Sequence, residues 1–194
     1  MISKFLLESL YCKKRLSMTE ISKRLHCSVH KIQYWMKKHK IQSRLMSDAI
    51  YLKHNPQGDP FHFSRPTSAR DMFLFGLGLG LYWGEGTKAN LGSVRLGNTD
   101  PALIRKFLEF MIRTFKVERR DFRFGLQIFT DIKAKKPLDF WKKQLKIRQS
   151  QFYKVTVTKT GSIGTYRQKS LYGVLTVYYN NKKLRDLLVS LLPL

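Results

Sequence analysis

Glu85 closes an apolar, glycine-studded stretch, Phe73 to Lys88, that reads FLFGLGLGLYWGEGTK. Carboxylate oxygens suit a hard cation such as Mg2+, which proteins hold through one or two carboxylates, leaving the rest of its shell to water and substrate. One glutamate makes a poor site. Two brought together hold the cation between them, with phosphate oxygens as further ligands, and such a site activates water for phosphodiester hydrolysis. Glu85, with Gly84 beside it, is therefore the candidate Mg2+ site. The glycines supply a way to bring two together. Gly76, Gly80 and Gly84 recur every fourth residue and fall on one side of a helix. With Gly78 they make that helix about 4 kcal/mol worse than an alanine version, at about 1 kcal/mol each. A bare side admits a second backbone, and close packing of the two helices offsets the cost. Gly76, Gly80 and Gly84 are thus the expected dimer interface, and the absence of a second copy of the stretch predicts a homodimer.

The same glycines admit other readings. A membrane helix needs about 20 apolar residues, more than Met72 to Gly84 provides. A dinucleotide loop needs a preceding strand and a G-x-G-x-x-G spacing, which Gly76, Gly78 and Gly80 do not give. A glycine-packed core helix with Glu85 as a solvated end residue is the remaining structural alternative.

The run Gly80-Leu81-Tyr82-Trp83-Gly84-Glu85-Gly86 resembles the LAGLIDADG motif of homing endonucleases, with Leu79 in place of the motif alanine and Trp83 where an acidic or polar residue is common. Val94 to Pro101 is similar to the segment that follows the motif in that family. The resemblance runs from about Asp71 to the C-terminus and includes one motif copy. It implies an α+β fold, a mixed αββα domain whose antiparallel, saddle-shaped sheet sits on double-stranded DNA. It also implies site-specific, Mg2+-dependent DNA cleavage by a homodimer. Gln127 and Lys154 are the candidates for positioning water and stabilising charge beside Glu85. Two alternatives stand: a DNA-binding transcription regulator that kept the fold without cleavage, and an intron maturase, for which RNA is the partner.

Composition agrees with a nucleic-acid partner. The 194-residue chain carries a formal net charge of +24, an excess that repels itself unless an anion is at hand. Both parts share it: residues 1–70 hold 14 Lys and Arg against 4 Asp and Glu, the remainder 23 against 9. With 43% apolar residues the chain has enough to form a core. No amphipathic membrane helix dominates, so no membrane partner is expected. Cys12 and Cys27 lack CxxC spacing, which argues against a zinc site and for a reducing, intracellular, cytoplasmic location. The N-terminal residues show no secretory signal pattern.

Residues 1–43 read as a helix-turn-helix domain, 44–70 as a linker and 71–194 as the LAGLIDADG-like domain. A first helix is expected over Ser3 to Lys14. Ser17 and Glu20 form a capping box that opens a second helix, and Ser28 caps a third over Val29 to Lys38. Ile21, Leu25, Ile32 and Trp35 supply a small core, with Ser22 at the crossing and His26 where a glycine often turns. In such a unit the last helix enters the major groove. Its candidate DNA contacts are Ser28, His30, Lys31, Gln33, Tyr34 and Lys37, with Gln33 suited to adenine. The linker is dense in turn formers from Asn55 to Pro60, with a short helix over Ser47 to Lys53; Arg44 and Arg65 could follow a groove or a line of phosphates, and nothing in the residues decides this.

Beyond it, Asp71 is the expected cap of the glycine helix. Val94 to Asn98, Phe122 to Thr130, Phe152 to Thr158 and Leu171 to Tyr179 alternate as strands, the last two separated by a Gly- and Ser-bearing loop. Helices are expected over Pro101 to Phe115, Pro137 to Lys146 and Leu184 to Leu192. If one side of the sheet packs on helices, the other carries Arg95, Arg123, Gln127, Lys154, Thr156, Thr158, Thr176 and Tyr178, a set that suits phosphates and base edges.

Overall fold

The computed structural model describes residues 1–159 and 171–193; the Gly- and Ser-bearing loop lies largely outside them. The chain divides into two compact units, Met1–Pro60 and Phe61–Leu194.

In the first unit, α1 (Lys4–Leu7) runs on into a wide π turn, Glu8–Lys13, so the expected first helix is continuous but changes pitch. Ser17 and Glu20 make the capping box that opens α2 (Met18–Arg24): the Glu20 N–H donates to Ser17 Oγ at 3.2 Å, and the Ser17 N–H donates to Glu20 Oε2 at 2.7 Å. That backbone donor, with the Ser17 hydroxyl, holds the Glu20 carboxyl below its ordinary value. His26 turns the chain at φ 49°, the left-handed position that glycine usually takes. Ser28 then caps α3 (Val29–Lys38), its Oγ accepting from the Lys31 N–H at 3.2 Å. Ile2, Leu7, Leu10, Tyr11, Ile21, Ile32 and Met36 are the core, with Leu25 and Trp35 half-buried at its edge. Ser22 is buried, and its hydroxyl donates to the Thr19 carbonyl at 2.9 Å. Arg44 is not free to follow phosphates. Its guanidinium lies over the Tyr11 ring and donates to the carbonyls of Tyr11, Arg15 and Leu16, while its N–H donates to the Tyr11 hydroxyl. A short helix, α4 (Met46–His54), follows with no buried residue.

The second unit starts ten residues ahead of Asp71. Phe61 and Phe63 pack against its core, and the N–H groups of His62 and Ser64 donate to the carbonyls of Phe115 and Thr114 at 2.8 Å. The glycine helix is α5 (Ala69–Glu85). Ser68 caps it, accepting from the Asp71 N–H at 3.1 Å. Asp71, the expected cap, sits one turn inside. It takes a hydrogen bond from the Ser68 hydroxyl and an ion pair from Arg113 at 2.6 Å, which joins α5 to the next helix.

The remaining elements are β1 (Val94–Asn98), α6 (Pro101–Phe115), β2 (Arg123–Phe129), α7 (Lys135–Leu145), β3 (Thr156–Thr158), β4 (Val174–Tyr179) and α8 (Lys182–Ser190). Asp100 and Asn181 cap α6 and α8 through their side chains. The fold is α+β, with a sheet in the order β1-β4-β2-β3. β4 is antiparallel to β1 and β2, but β3 runs parallel to β2, so the sheet is mixed and not antiparallel throughout. The β2–β3 connection holds all of α7, the long crossover that parallel pairing requires. β3 is also shorter than expected; ahead of it, a single bridge joins Phe152 to Phe124.

Alternation sorts the strand residues. Val94, Leu96, Phe124, Leu126, Ile128, Leu175, Val177 and Tyr179 are buried in one core with Ile104, Phe107, Phe110, Met111, Leu184 and Leu188 of the helices. The other side of the sheet is uncovered along much of its length among the described residues.

Candidate nucleic-acid interface and carboxylate site

The two sides of α5 have different surroundings. Leu74, Gly78 and Tyr82 are buried. A Cβ on Gly78 would lie 2.0 Å from the Phe110 ring, so only glycine lets α5 and α6 close to this distance. Gly76, Gly80 and Gly84 point the other way. A Cβ on any of them would meet nothing within 4 Å. Around them Met72, Phe73 and Trp83 are exposed, Phe73 to 71% and Trp83 to 50%. The result is an apolar stripe, bare along its centre, with no partner among the described residues.

That stripe ends at Glu85, whose position is held from below. The Gly86 N–H donates to the Tyr82 carbonyl at 2.9 Å, and Gly86 bridges Leu96 of β1. A Cβ on Gly86 would fall 2.3 Å from Tyr82, so a close approach of backbone and ring demands the glycine. Lys88 Nζ donates to the Trp83 carbonyl, and Arg185 donates to the Lys88 carbonyl. Burial pushes the Tyr82 hydroxyl's pKa up, against a smaller opposing pull from the Arg185 charge.

Glu85 itself is exposed and has no partner among the described residues. It stands at the negative end of the helix dipole, where cations are favoured. Among the described residues no cluster of three or more His, Cys, Asp and Glu side chains forms. One free carboxylate is the kind of oxygen ligand Mg2+ takes, but is not a site by itself.

The uncovered sheet side carries Arg95, Arg123, Gln127, Thr156, Thr158, Thr176 and Tyr178. Register places Arg95 opposite Tyr178 and Tyr178 opposite Arg123, Gly97 and Gly125 on either side of Thr176, and Gln127 opposite Thr156. The Gln127 amide donates to Thr158 Oγ1 at 3.0 Å. Among the described residues no strand position is acidic, so the surface is cationic and hydroxylated without a counter-charge on the strands themselves. Lys154 is exposed but lies ahead of β3, outside the ladder.

Strand order separates two of the expected partners from Glu85. Gly86 pairs with β1 on the side away from β4, and β2 lies beyond β4. Three strand spacings, about 14 Å at about 4.8 Å each, therefore divide the Glu85 turn from the strand of Gln127, and Lys154 precedes the strand beyond that. Within this chain, Gln127 and Lys154 do not join Glu85. Two cations flank the turn: Lys88, on the Trp83 carbonyl, and Arg95, whose carbonyl accepts from the Thr87 N–H at 3.0 Å, two residues past Glu85.

Sequence reading missed three contributors here. Tyr153 sets its ring edge-on to Tyr178 at 5.3 Å. Asn90 and Ser93 fold the turn ahead of β1 and reach Arg95. The Asn-x-Gly-Ser string from Asn90 is a turn signal that would have pointed to them.

In the first unit, Ser28, His30, Lys31, Gln33, Tyr34 and Lys37 are all exposed on or beside α3. Ser28 is spent on the helix cap. Tyr34 is 58% exposed, with Lys38 Nζ above its ring. Gln33 and Lys37 are one turn apart, the spacing that lets two side chains act on one groove.

Comparison with protein-family models, curated proteins and solved structures finds no match to this chain. Among the described residues no helix is long and apolar enough to cross a membrane.

Proposed function

We propose that this protein is a homodimeric, Mg2+-dependent, site-specific endonuclease of double-stranded DNA, built on a LAGLIDADG-like domain and carrying an N-terminal helix-turn-helix unit as a second DNA-contacting surface. The observation that carries the reading is the outward side of α5: Gly76, Gly80 and Gly84, open to 4 Å and flanked by exposed apolar side chains, on a helix that ends in a free carboxylate. A two-fold pairing through that side brings two Glu85 carboxylates together. Bound Mg2+ would supply Lewis acidity and a water of lowered pKa. Glu85, with the backbone at Gly84, would hold it, while the uncovered sheet sides of both copies receive the duplex. Support for DNA as partner comes from the acid-free strands and the +24 charge.

The test is plasmid cleavage by wild type and Glu85→Gln, with Mg2+ and with Ca2+, alongside sedimentation of the free protein. The expected result is a dimer that nicks or cuts with Mg2+ and loses cutting, but not DNA binding, in Glu85→Gln. Tight binding without cleavage under every metal would replace the nuclease with a regulator, and preferential binding of structured intron RNA would replace it with a maturase.

A further inference from the structure

One arginine on the uncovered sheet is fixed in place before any ligand arrives. Asn90 Oδ1 accepts from the N–H groups of Gly92 and Ser93 at 3.1 Å each and from the Ser93 hydroxyl at 2.9 Å. Ser93, buried to 2% exposure, in turn accepts at Oγ from Arg95 Nε at 2.8 Å. The Arg95 guanidinium lies over the Tyr178 ring, its Cζ 5.1 Å from the ring centroid. Tyr178 is held as well. It lies across Gly125, where a Cβ would come within 3.0 Å of it, and meets the edge of Tyr153, whose hydroxyl accepts from Asn180 Nδ2 at 2.9 Å. Nε is thereby occupied and the guanidinium's position over the ring is set. Its two terminal nitrogens, four N–H groups, have no partner among the described residues. Register puts the Arg95 backbone beside the Glu85 turn, through the Thr87–Arg95 hydrogen bond and the Gly86–Leu96 bridge, while the fork itself lies toward β4, over Tyr178.

We infer that Arg95 is a preset, two-pronged donor clamp on the nucleic acid, with Asn90, Ser93 and Tyr178 as its positioning residues. This rests on the nucleic-acid reading above and adds a group on the open sheet side that recognises the ligand. The chemistry it takes is a pair of adjacent acceptor atoms. Two phosphate oxygens provide it, and so do O6 and N7 of guanine in the major groove. An arginine already immobilised loses less side-chain freedom on binding than a free one. A lysine keeps the charge but neither the planar fork nor the stack on Tyr178.

The experiment measures duplex DNA binding by the full chain as a function of salt, for wild type, Ser93→Ala, Arg95→Lys and Arg95→Ala, with selection from a randomised duplex library in parallel and thermal melting as the folding control. Arg95→Lys is expected to bind about tenfold more weakly despite its charge, and Ser93→Ala a few-fold more weakly, at unchanged melting temperature. If phosphate is the acceptor, the loss is the same on every sequence, and Arg95→Ala reduces the salt slope by about 0.9 while Arg95→Lys keeps it. If guanine is the acceptor, one guanine position disappears from the selected consensus in Arg95→Lys. Wild-type binding that Arg95→Lys and Ser93→Ala both match, in affinity and consensus, would overturn the clamp alone. A wild type that ignores duplex DNA would overturn the nucleic-acid reading and the clamp with it.

Discussion

The two sides of α5 use the same residue for opposite ends. On the inner side Gly78 is a consequence of packing: Phe110 occupies the space a Cβ would need. On the outer side Gly76, Gly80 and Gly84 have no neighbour there, so nothing among the described residues explains the helix propensity they give up. A glycine that packs is justified by what touches it. Three glycines that touch nothing, in register and among exposed Phe73, Met72 and Trp83, are what the proposed pairing of two chains rests on.

Substitutions on the two sides therefore have opposite expected signs. The largest effect belongs to the inner side. Gly78→Ala should cost the second unit about 1–3 kcal/mol of stability through overpacking against Phe110, despite the better helix former; a denaturant midpoint at or above wild type would show that α6 yields and that the distinction is weak. Next comes Gly80→Leu on the outer side. It should leave the protomer folded and weaken self-association by about tenfold or more, read by sedimentation over a dilution series. Unchanged association would remove α5 from the dimer.

The sharpest contrast is smaller. At concentrations where the protein is monomeric, Gly76→Ala should stabilise it by about 1 kcal/mol, the reverse of Gly78→Ala. Equal losses at both positions would mean that the outer side is covered within the protomer. The smallest effect is at the start of the same helix. The Ser68 hydroxyl first, and Arg113 beside it, hold the Asp71 carboxyl below its ordinary value of 3.8. A carboxyl depressed in the folded state contributes stability that is present above that ordinary value and is lost as pH falls through the folded one. Acid unfolding of the second unit should accordingly be shallower in Arg113→Ala than in wild type, and identical acid limbs would make the Asp71–Arg113 pair irrelevant to α5.

Much of this was legible locally. Phe124, Leu126 and Ile128 alternate with Arg123, Gly125 and Gln127, so burying the first set exposes the second, whatever the strand pairs with. Gly76, Gly80 and Gly84 share a side for the same geometric reason. The capping box at Ser17 and the cap at Ser28 involve residues three apart, and they form as their spacing dictates. Other features were not legible. Ser68 and Asp71 are both competent caps by residue type, and the structure uses Ser68, with Asp71 accepting from its hydroxyl. Arg44 reads as a surface cation until Tyr11, distant in sequence, folds beneath it. The parallel β2–β3 pairing depends on α7 crossing over, which alternation within β3 cannot encode.

What the residues determined by themselves is which side of each element is apolar, bare or charged, because helix and strand periods are properties of the backbone alone. Which sides meet was decided only in three dimensions. The order β1-β4-β2-β3 set Arg95 next to the Glu85 turn and moved Gln127 and Lys154 strands away from it. Strand neighbours are chosen by packing across long connections, where the free energy of burying a common core outweighs any local preference for one partner over another.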